Sequence, residues 1–150
     1  WYDKTMPKLV IYTDGGARGN PGPAAIGAVV VGPSDKLGAG KEYAEAIGET
    51  TNNVAEYKAV VFALKKARHL LGHEDAKETE IEINSDSELM VNQLNGRYKV
   101  KEDDLKPLFV EVWNLKQYFK KVTFNRVPRE ENKAADKLVN KLLGRQTLPF

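Results

Sequence analysis

The chain has 150 residues, 41% of them hydrophobic and 29% charged, with a net charge of +2; one core-forming domain fits this length, and a charge so close to balance does not by itself mark a nucleic-acid binder. There is no cysteine and there are two histidines, His69 and His73, which excludes disulfides, zinc–thiolate sites and thiol nucleophiles and leaves little for imidazole chemistry. No stretch approaches the roughly 18 apolar residues of a membrane helix and the start lacks a signal-peptide core, so the expectation is a soluble, cytoplasmic protein without a membrane partner.

Residues 1–5 precede Met6 and read as an added or trimmed extension outside the fold. Residues 8–14 are β-rich and stop at Gly15-Gly16, and Gly19, Asn20, Pro21 and Gly22 then mark a loop. Residues 24–31 and 40–47 read as two further strands, the latter an alternating edge, so three antiparallel strands are expected. From 53 to 71, Val54, Tyr57, Val60, Val61, Leu64, Ala67 and Leu71 recur at three- and four-residue steps, the pattern of an amphipathic helix. A short strand over 80–84 leads into Ser85-Asp86-Ser87, cap-type residues for a helix to about 95. A basic loop over 97–101 precedes a helix over 103–119 carrying Leu105, Leu108, Val112, Leu115 and Phe119, and a strand over 122–127 ends at Pro128. The last helix carries Ala134, Ala135, Leu138, Val139, Leu142 and Leu143 and ends near Gly144, with 146–150 a loose or packed tail. The predicted class is α/β, with no repeat or interdomain linker and residues 1–150 as one domain.

Four carboxylates, Asp14, Glu56, Asp86 and Asp136, fall at predicted junctions that an α/β sheet can bring to one end. Each has a structural alternative: Asp14-Gly15 as a turn, Glu56 as the acid of a capping box begun at Asn53, and Asp86 and Asp136 as helix-start charges. Gathered together they would repel one another and hold raised pKa values until a cation neutralised them, and hard oxygen ligands point to Mg²⁺ or Mn²⁺. The glycine loop has neither the P-loop ending nor the G-x-G-x-x-G spacing, and both histidines lie in a lysine-rich helix end, away from any nucleophile.

Tyr12-Thr-Asp-Gly-Gly, Gly19-Asn-Pro-Gly-Pro, Thr50-Thr-Asn-Asn-Val-Ala-Glu56, Ser85-Asp-Ser and Asn132-Lys-Ala-Ala-Asp136, in this order, resemble type 1 ribonuclease H over nearly the whole chain. The resemblance implies a ribonuclease H-like fold, a five-stranded mixed sheet flanked by helices, and endonucleolytic cleavage of the RNA strand of RNA/DNA hybrids by two Mg²⁺ ions, with Mn²⁺ as a substitute. It implies 3′-hydroxyl and 5′-phosphate products, and no obligatory protein partner is inferred. Asp14 would bridge both ions, Asp86 and Asp136 would hold the water-side ion, and Glu56 the leaving-group side. Asn20, Asn52 and Asn53 would read the minor groove, where 2′-hydroxyls distinguish RNA, and Thr51 would bind a DNA-strand phosphate.

The chain departs from the family pattern in three places. The loop before Asp136 lacks the histidine found in many relatives, and Arg129 is the expected stand-in, acting by charge because an arginine does not shuttle protons near neutral pH. The basic helical protrusion is missing, as in the compact, archaeal-like branch. Glu49 replaces a basic residue ahead of the paired threonines. Arg97, Lys99 and Lys101 alternate, with Tyr98 between them; in an extended segment they would form one strip for a nucleic-acid backbone. The rivals are a catalytically silent hybrid-binding module and another nuclease of the same fold. A pure binder gains nothing from four acids near phosphate, and the other nucleases lack the Asn-Pro-Gly-Pro and Thr-Thr-Asn-Asn strings.

Overall fold

A computed structural model describes residues 7–32 and 40–144; the expectations for 1–5 and 146–150 lie outside these residues. Three antiparallel strands open the chain, β1 (Lys8–Ala17), β2 (Gly22–Val31) and β3 (Lys41–Thr50). They are followed by α1 (Asn52–Glu78), β4 (Glu80–Ser85), α2 (Glu88–Leu94), α3 (Lys106–Lys116), β5 (Lys121–Arg126), a 3₁₀ turn (Arg129–Glu131) and α4 (Lys133–Leu143). The strands form one mixed sheet in the order β3-β2-β1-β4-β5, with β4 parallel to both β1 and β5, as the resemblance implies.

Alternation along the strands sorts the two faces. Leu9 and Ile11 of β1, Ala28 and Val30 of β2, and Ile81 and Ile83 of β4 meet Tyr57, Val60 and Leu64 of α1, Met90 of α2 and Val112 of α3 in the main core. The Leu, Ile, Val and Met side chains among them each contribute about 1.5–3 kcal/mol by leaving water. The opposite face of β2 presents Ala25 to Val139 and Leu143 of α4, and the small side chain lets the helix lie close.

Several boundaries differ from the sequence reading, four of them for a clear local reason. β1 runs past Gly15 and Gly16 to Ala17, because those glycines pair with Ile26 and Ala25 of β2 instead of turning. Helix α1 breaks at Gly72, where φ is 80°, one residue beyond the expected end, but helical turns resume as far as Glu78. Helix α2 begins at Glu88, since Ser87 and not Asp86 caps it by accepting from the Met90 amide. Helix α3 starts only at Lys106, next to Pro107, whose missing N–H is harmless in a first turn. Phe119 follows α3 in a turn closed by its amide to the Lys116 carbonyl, and is buried there.

Candidate active site

Register places the acids. In the parallel β1–β4 pair Tyr12 lies opposite Asn84, so Asp14, still within β1, and Asp86, just past the end of β4, each two residues further on, come side by side at the carboxyl end of β4. Asp14 itself pairs with Gly27 of β2. A Cβ at Gly27 would stand 3.1 Å from both the Ala135 carbonyl oxygen and Leu138 Cβ, and one at Gly15 would stand 2.2 Å from the Ala55 carbonyl oxygen. Glycine at these two positions admits the backbones of α4 and α1, and with them Asp136 and Glu56. The glycines flanking Asp14 in space therefore do more than punctuate a turn.

Carboxylate oxygens of Asp14, Glu56 and Asp86 all lie within 4.8 Å of one another, a group able to hold a metal ion. Asp136 stands beside this group, near enough for its charge to act on Asp14. Asp14 is 7% exposed, and burial first, then the charges of Asp86 and Asp136, push its pKa to about 8 from an ordinary 3.8, against the Gly15 amide, which pulls it down. Glu56 is raised well above its usual range, again by burial first and then by Asp14 and Asp86, while the Gly15 amide and Arg129 work in the other direction. Such mutual repulsion is relieved by a divalent cation, and a donor set made only of carboxylate oxygens fits a hard one.

Neighbouring groups fix the acids in place. The Gly15 amide donates to Glu56 Oε1 at 3.2 Å, and Asn140 Nδ2 donates to Asp136 Oδ2 at 3.0 Å. The capping-box reading of Glu56 fails because Thr51 is the N-cap of α1, its hydroxyl accepting from the Val54 amide. Buried Asn132 donates to the Thr13 carbonyl at 2.9 Å, tying the start of α4 to the residue before Asp14. Thr13 Oγ1 and Asn132 Oδ1, both buried, have no hydrogen-bond partner among the described residues. Arg129 is 85% exposed and reaches Asp86 only at 3.9 Å, a loose pair worth between zero and about 1 kcal/mol.

A cleft of about 360 Å³ opens over the acids, lined by Asn52, Asn53, Glu56, Asp86, Ser87, Arg126 and Arg129. Asn52 and Asn53 thus sit at the mouth of the acidic site. Asn52 Oδ1 also accepts from the Ala17 amide, and Asn20 Oδ1 accepts from the Asn52 amide, so the glycine loop is laced to the start of α1. Asn53 donates to Glu102 at 3.3 Å.

The basic segment is not extended. The amides of Arg97 and Tyr98 both donate to the Asn92 carbonyl around Gly96, whose φ is 78°. This tight turn at the end of α2 sends Arg97 into one recess, whereas Tyr98, Lys99 and Lys101 line another of about 570 Å³ with Leu89, Gln93 and Glu102. His69 and His73 are exposed on α1. Sequence reasoning passed over Arg126, Asn140 and the Gly15 amide. Arg126 could have been found as the end of a parallel strand opposite Ser85, and Asn140 as the residue four positions after Asp136 on one helix face.

The family model described as reverse transcriptase-like matches residues 12–142. The bifunctional protein Rv2228c of Mycobacterium tuberculosis is 44% identical over 133 residues, covering 89% of this chain and 35% of that protein; the chain spans about a third of the length of the first curated relatives it matches. The crystal structure of LC11-RNase H1, isolated from compost by a metagenomic approach, in complex with RNA/DNA hybrid has a TM-score of 0.82 at 44% identity, with 93% of this chain and 99% of that chain covered. RNase H1 from the halophilic archaeon Halobacterium salinarum gives a TM-score of 0.82 at 36% identity, with 91% and 98% covered. With the sheet order, the carboxylate cluster and these likenesses in agreement, the chain belongs to the ribonuclease H family.

Proposed function

We propose that this chain is a metal-dependent endonuclease domain that hydrolyses the RNA strand of RNA/DNA hybrids, leaving 3′-hydroxyl and 5′-phosphate ends. The observation that carries the reading is the convergence of Asp14, Glu56 and Asp86 within 4.8 Å beside a cleft lined by both asparagines and arginines. A relative of 44% identity crystallised with such a hybrid supports the substrate.

Asp14, Glu56, Asp86 and Asp136 would hold the ions, Mg²⁺ by donor chemistry and Mn²⁺ as a substitute. Two such ions, when bound, supply an activated water and a neutralised leaving oxygen. Asp14, with acids on either side, is suited to be shared. The Gly15 amide keeps Glu56 turned toward the site, and Asn140 does the same for Asp136. Arg129 and Arg126 bring positive charge to the phosphate from the solvent side, where a guanidinium can offer two parallel N–H donors. Asn52 and Asn53 can donate to and accept from a 2′-hydroxyl, and Asn20 supports Asn52 through its amide. Thr51, as the N-cap of α1, stands at a helix start that favours a phosphate of the DNA strand. Tyr98, Lys99 and Lys101 would meet the duplex flank, with Tyr98 offering a stacking face.

Among the described residues no helix is long and apolar enough to cross a membrane, and we place the domain in the cytoplasm. The test is incubation with labelled RNA/DNA hybrid, double-stranded RNA, double-stranded DNA and single-stranded RNA, each with Mg²⁺, Mn²⁺ or chelator. Cutting of the RNA strand of the hybrid, abolished by chelator, is the expected result. Binding to hybrid without cutting under either metal would replace the nuclease with a silent binding module.

A further inference from the structure

Arg126, the last residue of β5, lines two cavities at once: the cleft beside Asp86 and a second recess of about 330 Å³. Asn92, Asn95, Asn125 and Arg97 supply polar walls to that recess, over Phe124. Several of these groups are held in place. Asn95 Nδ2 donates to the Phe124 carbonyl at 3.0 Å and ties the end of α2 to β5. Arg97 Nη1 donates to Asn92 Oδ1 at 3.0 Å, and Asn92 Nδ2 donates to the Glu88 carbonyl at 2.9 Å. A guanidinium has five N–H donors in a planar fork, so this bond leaves Arg97 with donors to spare. Neither Arg97 nor Arg126 forms an ion pair with a described residue. Two arginines against one acid, Glu88, leave the recess an excess of positive charge.

We propose that the recess binds a backbone phosphate of the same strand whose scissile phosphate lies in the cleft, with Arg126 spanning the two sites and Arg97 anchoring the outer phosphate. The inference rests on the hybrid-cleaving reading above. A polyanionic strand cannot stop at the cleft, and the recess continues the cleft through a shared guanidinium rather than across neutral surface. The chain turn at Gly96 gives the recess its own arginine, separate from the Lys99–Lys101 groove. Planar guanidinium forks paired with fixed asparagine amides match a phosphodiester better than a point charge does.

The test uses Asp14→Asn protein in Ca²⁺ and a set of hybrids in which methylphosphonate replaces one phosphate of the RNA strand at a time. One position outside the scissile phosphate is expected to weaken binding by about five- to tenfold, and that loss should vanish when Arg97→Gln is added. Arg97→Gln should also make the slope of log K against log salt shallower by about one, whereas Arg97→Lys should preserve it. If no position loses its effect in Arg97→Gln, or if the slope is unchanged, the recess is not a phosphate site. Wild-type cleavage of the unmodified hybrid is followed in parallel: cleavage without any such coupling overturns the recess alone, and absence of both cleavage and binding overturns the hybrid reading and the recess together.

Discussion

Within one strand, β1 passes between two opposite environments. Leu9 and Ile11 are almost wholly buried against α1 and the neighbouring strands, where closeness is favourable because every contact removes apolar surface from water. Five residues on from Leu9, Asp14 is also buried, but its closest company is Glu56, Asp86 and Asp136, and there closeness is unfavourable until something positive arrives. The same register serves both ends: pairing Leu9 with Ile81 and Ile11 with Ile83 brings Asp14 next to Asp86. The apolar end generates the stability that the acidic end consumes, and a functional site of this kind is carried by the surplus of the core beneath it.

Breaking either end should have opposite consequences. The largest expected effect is on turnover: Asp14→Asn removes the carboxylate common to the cluster and should lower hybrid cleavage by at least about a thousandfold, roughly 4 kcal/mol, while far-ultraviolet circular dichroism stays unchanged. Activity within about tenfold of wild type would take Asp14 out of the reaction. At the other end, Ile83→Ala, at a fully buried position, should cost about 2–5 kcal/mol of unfolding free energy in urea melts. Its cleavage rate well below the melting temperature should remain near wild type, and an equal loss of rate and stability would mean that the two ends are not separable. A smaller effect is expected at the cleft wall, where Asn53→Ala should lower kcat/KM on hybrid by about 1–3 kcal/mol through a lost hydrogen-bond partner. Equal losses on hybrid and on double-stranded RNA would leave RNA/DNA discrimination to other residues.

These two ends were not equally legible in the sequence. Periodicity alone located α1, α4 and the apolar stripes, because the core obeys spacing rules that any helix or strand displays. The four acids stood out as a set, and the family motifs gave their order. What spacing does not contain is how close two backbones come: the roles of Gly15 and Gly27 as gaps for α1 and α4 depend on contacts with residues 40 and more than 100 positions away. Turn chemistry misled in two places. Gly15-Gly16 has the composition of a turn but continues a strand, since pairing with β2 outweighs local propensity. The alternation of Arg97, Lys99 and Lys101 implies one face only if the segment is extended, and Gly96 at positive φ curls it instead, parting Arg97 from the two lysines. Arg126 went unnoticed because a charged strand end looks like solvated surface until the opposite strand is known.

The most direct measurement is the pH dependence of unfolding in chelator, wild type against Asp14→Asn. Folding raises the Asp14 pKa from 3.8 to about 8, so between those values the folded state holds a proton that the unfolded state has released. Stability must then fall as pH rises across that window, by up to about 1.36 kcal/mol per unit from this group, and be fully retained below it. The account predicts that wild type loses stability relative to Asp14→Asn from pH 5 to pH 8, by on the order of 2–4 kcal/mol, and that Mg²⁺ restores wild type far more than the variant. Parallel pH profiles for the two proteins, with Mg²⁺ shifting both equally, would contradict the claim that this end of the sheet is an acidic site held in wait for a divalent cation.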